Sequence, residues 1–166
     1  MKLLYIDIEN TIIDNLTDCN FLEENCEKIK RFIKNESVDA WALFTWGWKT
    51  SNEIDMYLVE DMAKKLDLHK PVFSYVVATK NDSINYAVKA GLLHEEDRER
   101  TLQPGMMAEF GISKISCFFE MCRVANVYED TEIILIDDLA NGTEVETHKS
   151  EYGTLTAKAI NPTELT

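Results

Sequence analysis

The sequence predicts a three-layer α/β domain: a central, mainly parallel five-stranded sheet with helices on both faces. Three observations carry that prediction. Apolar runs of strand length alternate with longer segments whose apolar residues step by three and four. The runs lack the in–out alternation of a half-solvated strand, so they suit a sheet covered on both sides. Strand, helix, strand order then requires right-handed crossovers and parallel pairing.

The elements follow in order. "LLYID", residues 3–7, is a first strand buried on both faces. Leu16, Cys19, Leu22, Cys26, Ile29 and Ile33 keep helical spacing and predict a helix over 16–34. "AWALFT", 40–45, is a second strand, and Ile54, Leu58, Met62 and Leu66 mark a helix over 52–67. "PVFSYVVAT", 71–79, is a third strand, with Pro71 tolerated only at its start. Asp82 and Gly91 fit the two ends of a helix over 82–90. Residues 93–112 are polar and less regular, with room for two short helices and a turn at "LQPGM". A helix over 113–125 buries Ile115, Phe118, Phe119 and Cys122. "EIILIDD", 132–138, is the fourth strand; a helical piece over 142–150 and a fifth strand, "LTAKAI" at 155–160, complete the chain.

Composition narrows the functional classes. The 166 residues suffice for one domain with a single core, and no Pro/Ser-rich linker divides them. Thirty acids against 17 bases leave a net charge of −13, which repels nucleic-acid phosphates and anionic lipid and favours divalent cations. Nucleic acid and membrane are therefore not expected partners, and no apolar stretch approaches the roughly 18 residues of a membrane span. Cys19, Cys26, Cys117 and Cys122 show no zinc or redox spacing, and the expectation is reduced core thiols, with Cys19 and Cys26 on one helix face, in a soluble, cytoplasmic protein. His69, His94 and His148 stand among charged residues and are expected to be solvated. Nothing in the sequence specifies an oligomeric state.

The chemistry lies at the strand ends. Asp7, Thr45 and the pair Asp137–Asp138 all fall at carboxyl ends of predicted strands, where open α/β sheets bind ligands. Carboxylates at a buried edge need partners or a cation. Helix capping by Asp7 or Asp137 is the alternative use of those acids. No GxxxxGK[ST], GxGxxG or HExxH is present.

In this order the residues resemble the haloacid dehalogenase (HAD) superfamily of phosphohydrolases over nearly the whole chain. Asp7-Ile8-Glu9-Asn10-Thr11 is similar to that family's Asp-x-Asp-x-Thr, Thr45 to its second-strand Ser/Thr, Lys114 to its helix-borne lysine, and Asp137-Asp138 to its fourth-strand acid pair. "YGTLTAKAINPTEL" looks like its last strand and the following Pro. The resemblance implies a Rossmann-like, HAD-like fold and a Mg²⁺-dependent phosphatase. Asp7 would attack phosphorus and Thr45 would donate to the phosphoryl oxygens. Lys114 would neutralise charge, although Lys80 and Lys89 are also available for that role. Mg²⁺ would be held by Asp7, the Glu9 carbonyl, and Asp137 or Asp138. Glu9 replaces the family's acid–base Asp; its acidity is similar but its reach is one methylene longer, which leaves open a slow phosphatase, a phosphotransferase or a binding module without turnover.

The gap at 12–39 fits one crossover helix and the gap at 80–112 only a small insert, so the chain looks nearly capless. Such a site suits a small phosphorylated substrate or an accessible phosphate on a larger one. Thr11, Trp46 and Gly47 are the candidate substrate contacts, with the Trp46 and Trp48 rings either stacking at the rim or packing inside. Arg98 and Arg100 are expected to form a solvated charge run.

Overall fold

In the computed structural model, which describes residues 1–69 and 77–166, six strands form one sheet. In chain order the elements are β1 (Lys2–Ile6), α1 (Glu23–Glu36), β2 (Ala40–Phe44), α2 (Met56–Lys65), β3 (Val77–Ala78), α3 (Lys80–Lys89), α4 (Arg98–Thr101), α5 (Met106–Glu109), α6 (Lys114–Arg123), β4 (Thr131–Ile136), β5 (Thr143–Lys149) and β6 (Thr154–Ile160). The sheet order is β3-β2-β1-β4-β6-β5. Every pairing is parallel except that of β5, which runs antiparallel along β6.

Strand alternation sorts the core into two faces. Leu4, Ile6, Leu43, Ile134 and Ile136 pack with Cys26 and Ile29 of α1 and Val59 and Met62 of α2. Ile133, Leu135, Ala157 and Ala159 point the other way and pack with Phe118, Phe119 and Cys122 of α6. On that second face Tyr5, Phe44 and Phe118 meet edge to face, with centroids 6.0 to 6.4 Å apart. A third cluster, including Ile84 and Ala87 of α3, Met107 of α5, and Ile112, ties the 93–112 insert to the body. Among the described residues no helix is long and apolar enough to cross a membrane.

The α/β architecture with a mostly parallel sheet matches the sequence expectation, but the strand count is six and not five. The predicted helix over 142–150 is β5. Its sequence, TEVETHK, carries β-branched residues at every second position, and exposure alternates along it. Period two, and not helical spacing, is the signal there. The first helix begins at Glu23 and not at 16. Turn chemistry wins over apolar spacing in the preceding loop. Asp14 accepts from Asn15 N, Asn20 N and Asn20 Nδ2, while Asn15 Oδ1 accepts from Thr17 N and Asp18 N. Cys19 therefore sits in a turn at φ 55° and does not share a helix face with Cys26. All four cysteines are free thiols, Cys19 partly exposed and the other three buried.

Smaller differences have equally local causes. The second helix runs only over Met56–Lys65, after a 3₁₀ turn at Ser51–Glu53 and a cap by the Asp55 carboxylate. Thr79 is the N-cap of α3, and Asp82 closes the capping box by accepting from Thr79 N at 2.8 Å. Of the predicted strand 71–79, Val77–Ala78 is strand, and 71–76 lie outside the described residues.

Candidate functional site

The sheet order creates the site. From β1 the chain winds outward through β2 and β3, then returns to place β4 on the other side of β1. Loops leaving β1 and β4 therefore diverge and open a crevice at the carboxyl ends of the two strands. Asp7 directly follows β1, and Asp137 and Asp138 directly follow β4. One carboxylate oxygen from each of these three acids lies within 4.8 Å of the other two.

The loop after β1 is wound tightly around the Ile8 carbonyl, which accepts from Thr11 N, Ile12 N and Ile13 N at 3.3, 2.9 and 3.1 Å. Asn10 takes the left-handed conformation this requires, with φ 59°. The turn brings the fully buried Thr11 back beneath Asp7. Thr11 Oγ1 donates to Asp7 Oδ2 at 2.8 Å and accepts from Asp138 N at 3.3 Å. Its hydroxyl thus fastens the β1 and β4 loops to each other and faces no solvent.

Lys114 reaches this cluster from the first turn of α6. Ser113 caps that helix by accepting from Ser116 N at 3.0 Å, which fixes where the side chain of Lys114 departs. The ammonium is ion-paired with Asp7 and lies 2.7 Å from Asp137 Oδ2. Lys114 is 4% exposed, Asp7 4% and Asp137 0%, so one cation is enclosed by two carboxylates. Burial alone would lower the Lys114 pKa, but the charges of Asp7 and Asp137 outweigh it and the net shift is upward. A helix N-terminus is an unfavourable place for a cation, and the two acids account for Lys114 being held there.

Negative charge nonetheless exceeds positive charge in the cluster. Burial pushes the Asp138 carboxyl up to about 7, helped by its hydrogen bond to Asp7 and the charges of Asp7 and Asp137. Burial also raises Asp137, although Lys114 pulls it down. Asp137 Oδ1 accepts from Leu139 N at 2.9 Å. Its Oδ2 touches the Lys114 ammonium but lacks an aligned hydrogen bond. A buried carboxylate oxygen so placed, with two more carboxylates beside it, is a donor set suited to a hard divalent cation.

The second predicted strand delivers its residue to the same end of the sheet. Thr45 follows β2 and is buried, and its Oγ1 accepts from Gly47 N at 2.9 Å. Gly47 is closely approached by side chains. A Cβ there would stand 2.6 Å from Leu16 Cδ1 and 3.3 Å from Thr45 Oγ1, and closer still to Glu9 Oε1. Glu9 is thus directed toward the 45–47 turn, and its other oxygen accepts from Leu16 N at 3.4 Å. It does not join the three-aspartate group.

The aromatic pair separates. Trp48 is buried in the core and is not a rim residue. Trp46 is partly buried: its Nε1 donates to Ser83 Oγ at 2.8 Å, and the ring lines a cavity next to Lys114. Lys80 is not an alternative to Lys114. It is buried at the start of α3, donates to the carbonyls of Leu102 and Gln103 at 3.3 and 3.1 Å, and stands 5.7 Å from the Trp46 ring centroid. Lys89 is exposed, Arg98 pairs with Glu95 inside the insert, and Arg100 stacks on Phe110.

Asn161 was not singled out by the sequence. Its Nδ2 donates to the carbonyls of Asp138 and Ala140, both at 3.0 Å, so it fixes the loop that carries the acid pair. The Asn-Pro step after a strand was the available signal. Comparison of the chain with family models, with characterised proteins and with solved structures finds no match.

Proposed function

We propose that this chain is a Mg²⁺-dependent phosphohydrolase of HAD type, nearly capless, that cleaves a phosphomonoester through an aspartyl-phosphate on Asp7. The observation that carries the proposal is the convergence of Asp7, Lys114, Asp137 and Asp138 in one buried cluster at the strand-order switch. A carboxylate paired with an enclosed lysine, beside further acids, is what nucleophilic phosphoryl transfer needs.

Asp7, Asp137 and Asp138 would hold the ion together with the Glu9 carbonyl, which accepts no hydrogen bond among the described residues. When bound, Mg²⁺ supplies positive charge against the phosphoryl oxygens. Thr11 and Lys114 hold the two Asp7 oxygens in place, and the lysine offsets negative charge that accumulates as phosphate approaches. An Asp7 oxygen forms a bond to phosphorus as the ester P–O bond breaks, and the leaving oxygen takes a proton from Glu9. Water then attacks the same phosphorus, yields its proton to Glu9, and releases Asp7 and inorganic phosphate.

The test is phosphate release from a phosphomonoester panel with Mg²⁺, with rapid-quench detection of phosphoenzyme. Wild type should turn over, Asp7→Asn should show neither turnover nor phosphoenzyme, and Glu9→Gln should trap phosphoenzyme from an aryl phosphate. The bond from Leu16 N to the Glu9 carboxylate favours one second reading, a phosphate-binding module in which Glu9 is restrained from proton transfer. Absence of both turnover and phosphoenzyme in wild type would select it.

A further inference from the structure

We infer that the cavity beside Lys114 receives the leaving group, and that the substrate is a monophosphate ester of an uncharged, ring-bearing alcohol carrying hydrogen-bond donors. The inference rests on the phosphohydrolase reading for the reacting end and on the cavity for the rest.

The cavity has a volume of 480 Å³ and is walled by separate parts of the chain that meet only in the fold, among them the starts of α3 and α6. Trp46 comes from the loop after β2, Met107 and Ala108 from the insert, and Leu139 and Glu144 from the segment after β4. Lys114 is common to the cavity lining and the aspartate cluster, and Leu139 of the lining follows directly on Asp138 in the chain. This size lies within the roughly 300–1,000 Å³ of small-molecule sites. It exceeds what a phosphoryl group alone would fill.

The walls specify the chemistry. Buried Met107, Ile112 and Ile115 and exposed Leu139 make most of the lining apolar. The Trp46 ring is held in one orientation by its bond to Ser83 and by Lys80 against it, and so presents a rigid aromatic surface. Lys80 in turn is tied to the carbonyls of Leu102 and Gln103, which fixes the insert against the ring. A flat ring suits these surfaces better than a flexible polyol, which would leave hydroxyls unpaired against apolar walls. The one carboxylate in the wall, Glu144, accepts from Asn141 N at 3.1 Å and retains acceptor capacity. It would take a hydrogen bond from an O–H or N–H of the leaving group and repel a second anionic group. Sugar bisphosphates are thereby disfavoured. Nucleosides and hydroxylated aromatic alcohols share the required chemistry.

The closing experiment compares kcat/KM for a nucleoside 5′-monophosphate, 1-naphthyl phosphate, glycerol 3-phosphate, fructose 1,6-bisphosphate and acetyl phosphate, the last reporting the core reaction without a ring. Ring-bearing esters should exceed glycerol 3-phosphate and the bisphosphate by about tenfold or more, the scale on which pocket contacts discriminate. Ala108 is exposed at the cavity wall, so Ala108→Trp should fold normally and remove that preference, lowering the ring esters far more than acetyl phosphate. Glu144→Lys should raise turnover of the bisphosphate. Glu144→Ala should lower kcat/KM for the nucleotide and leave 1-naphthyl phosphate unchanged, because only the nucleoside can donate to that carboxylate; an unchanged nucleotide would overturn the hydrogen-bond requirement.

Equal kcat/KM across the esters, with acetyl phosphate hydrolysed, would overturn the cavity assignment and leave the phosphohydrolase reading standing. If nothing is hydrolysed, that reading falls, and calorimetry with free adenosine and 1-naphthol decides the cavity. Binding to wild type that Ala108→Trp abolishes would keep the cavity as a ring-binding site and overturn its leaving-group role, whereas no binding would end both.

Discussion

At the residue scale, the enclosed Lys114 dominates. Its ammonium is the cation that both Asp7 and Asp137 contact. Breaking a buried pair by removing one partner strands the other charge, at a cost of about 3–5 kcal/mol. Lys114→Met should lower the unfolding free energy by about that amount at pH 7 in urea titrations without metal, and Mg²⁺ should recover part of the loss. An unchanged midpoint would show that the acids take up protons in place of the lysine's charge. The cysteines give a second residue-scale expectation. Burial pushes the thiols of Cys26 up to about 11 and of Cys117 and Cys122 up to about 12, from an ordinary 9.0, and raises Cys19 as well. The native state therefore holds thiol protons that the unfolded chain releases, so stability is retained below pH about 9 and lost as pH rises toward 12. With a thiol reagent at pH 8, partly exposed Cys19 should react first, and all four cysteines only in denaturant. Rapid labelling of Cys117 in the native protein would contradict the packing around α6.

At the element scale, the β5–β6 hairpin shows what its turn requires. Ser150 N donates to Gly153 O at 2.9 Å, and a Cβ at Gly153 would lie 2.5 Å from the Glu129 carbonyl carbon and 2.8 Å from Asp130 N. Backbone cannot yield as a flexible side chain can, so Gly153→Ala should cost about 1–3 kcal/mol, the range of overpacking. A thermal melt would read it, and a wild-type midpoint would mean that the turn adjusts freely. The same hairpin marks the limit of what the sequence made legible. Strands β1, β2 and β4 were readable because each is a compact apolar run that cannot face water on either side. Their polar end residues Asp7, Thr45, Asp137 and Asp138 were readable for the same reason, since a carboxylate or hydroxyl after such a run stands out. β5 is a half-exposed edge strand whose acids and lysine resemble a solvated helix face. The loop 14–20 failed differently: Leu16 and Cys19 keep helical spacing by accident, while Asp14, Asn15 and Asn20 wrap the backbone into turns. The role of Thr11 was hidden because it depends on Asp138, 127 residues away. The cavity wall, drawn from residues between 46 and 144, was hidden for the same reason.

At the scale of the whole molecule, topology and charge act on the same crevice. The strand-order switch fixes where the acids meet, and the net charge of −13 sets the field through which any ligand approaches. Within the cluster Lys114 cancels part of the local negative charge, so the attraction of a divalent cation to this crevice would have a short-range share from the three aspartates and a long-range share from the surface. Salt separates the two, because the Debye length falls from about 30 Å at 0.01 M to about 8 Å at 0.15 M. If Mg²⁺ binds in this crevice, its apparent Kd by calorimetry should rise on the order of three- to tenfold between those ionic strengths as the surface share is screened. Neutralising the exposed acids Glu60 and Asp61, which lie outside the three-aspartate cluster, as Gln and Asn should weaken binding at low salt and leave it unchanged at high salt. Asp137→Asn should weaken it at both, since that loss is of a buried neighbour that salt does not screen. A Kd that Asp137→Asn leaves unchanged, but that the Glu60 and Asp61 substitutions weaken at low salt, would place Mg²⁺ on the acidic surface and not among Asp7, Asp137 and Asp138, whereas a Kd flat with salt would show that the surface contributes nothing.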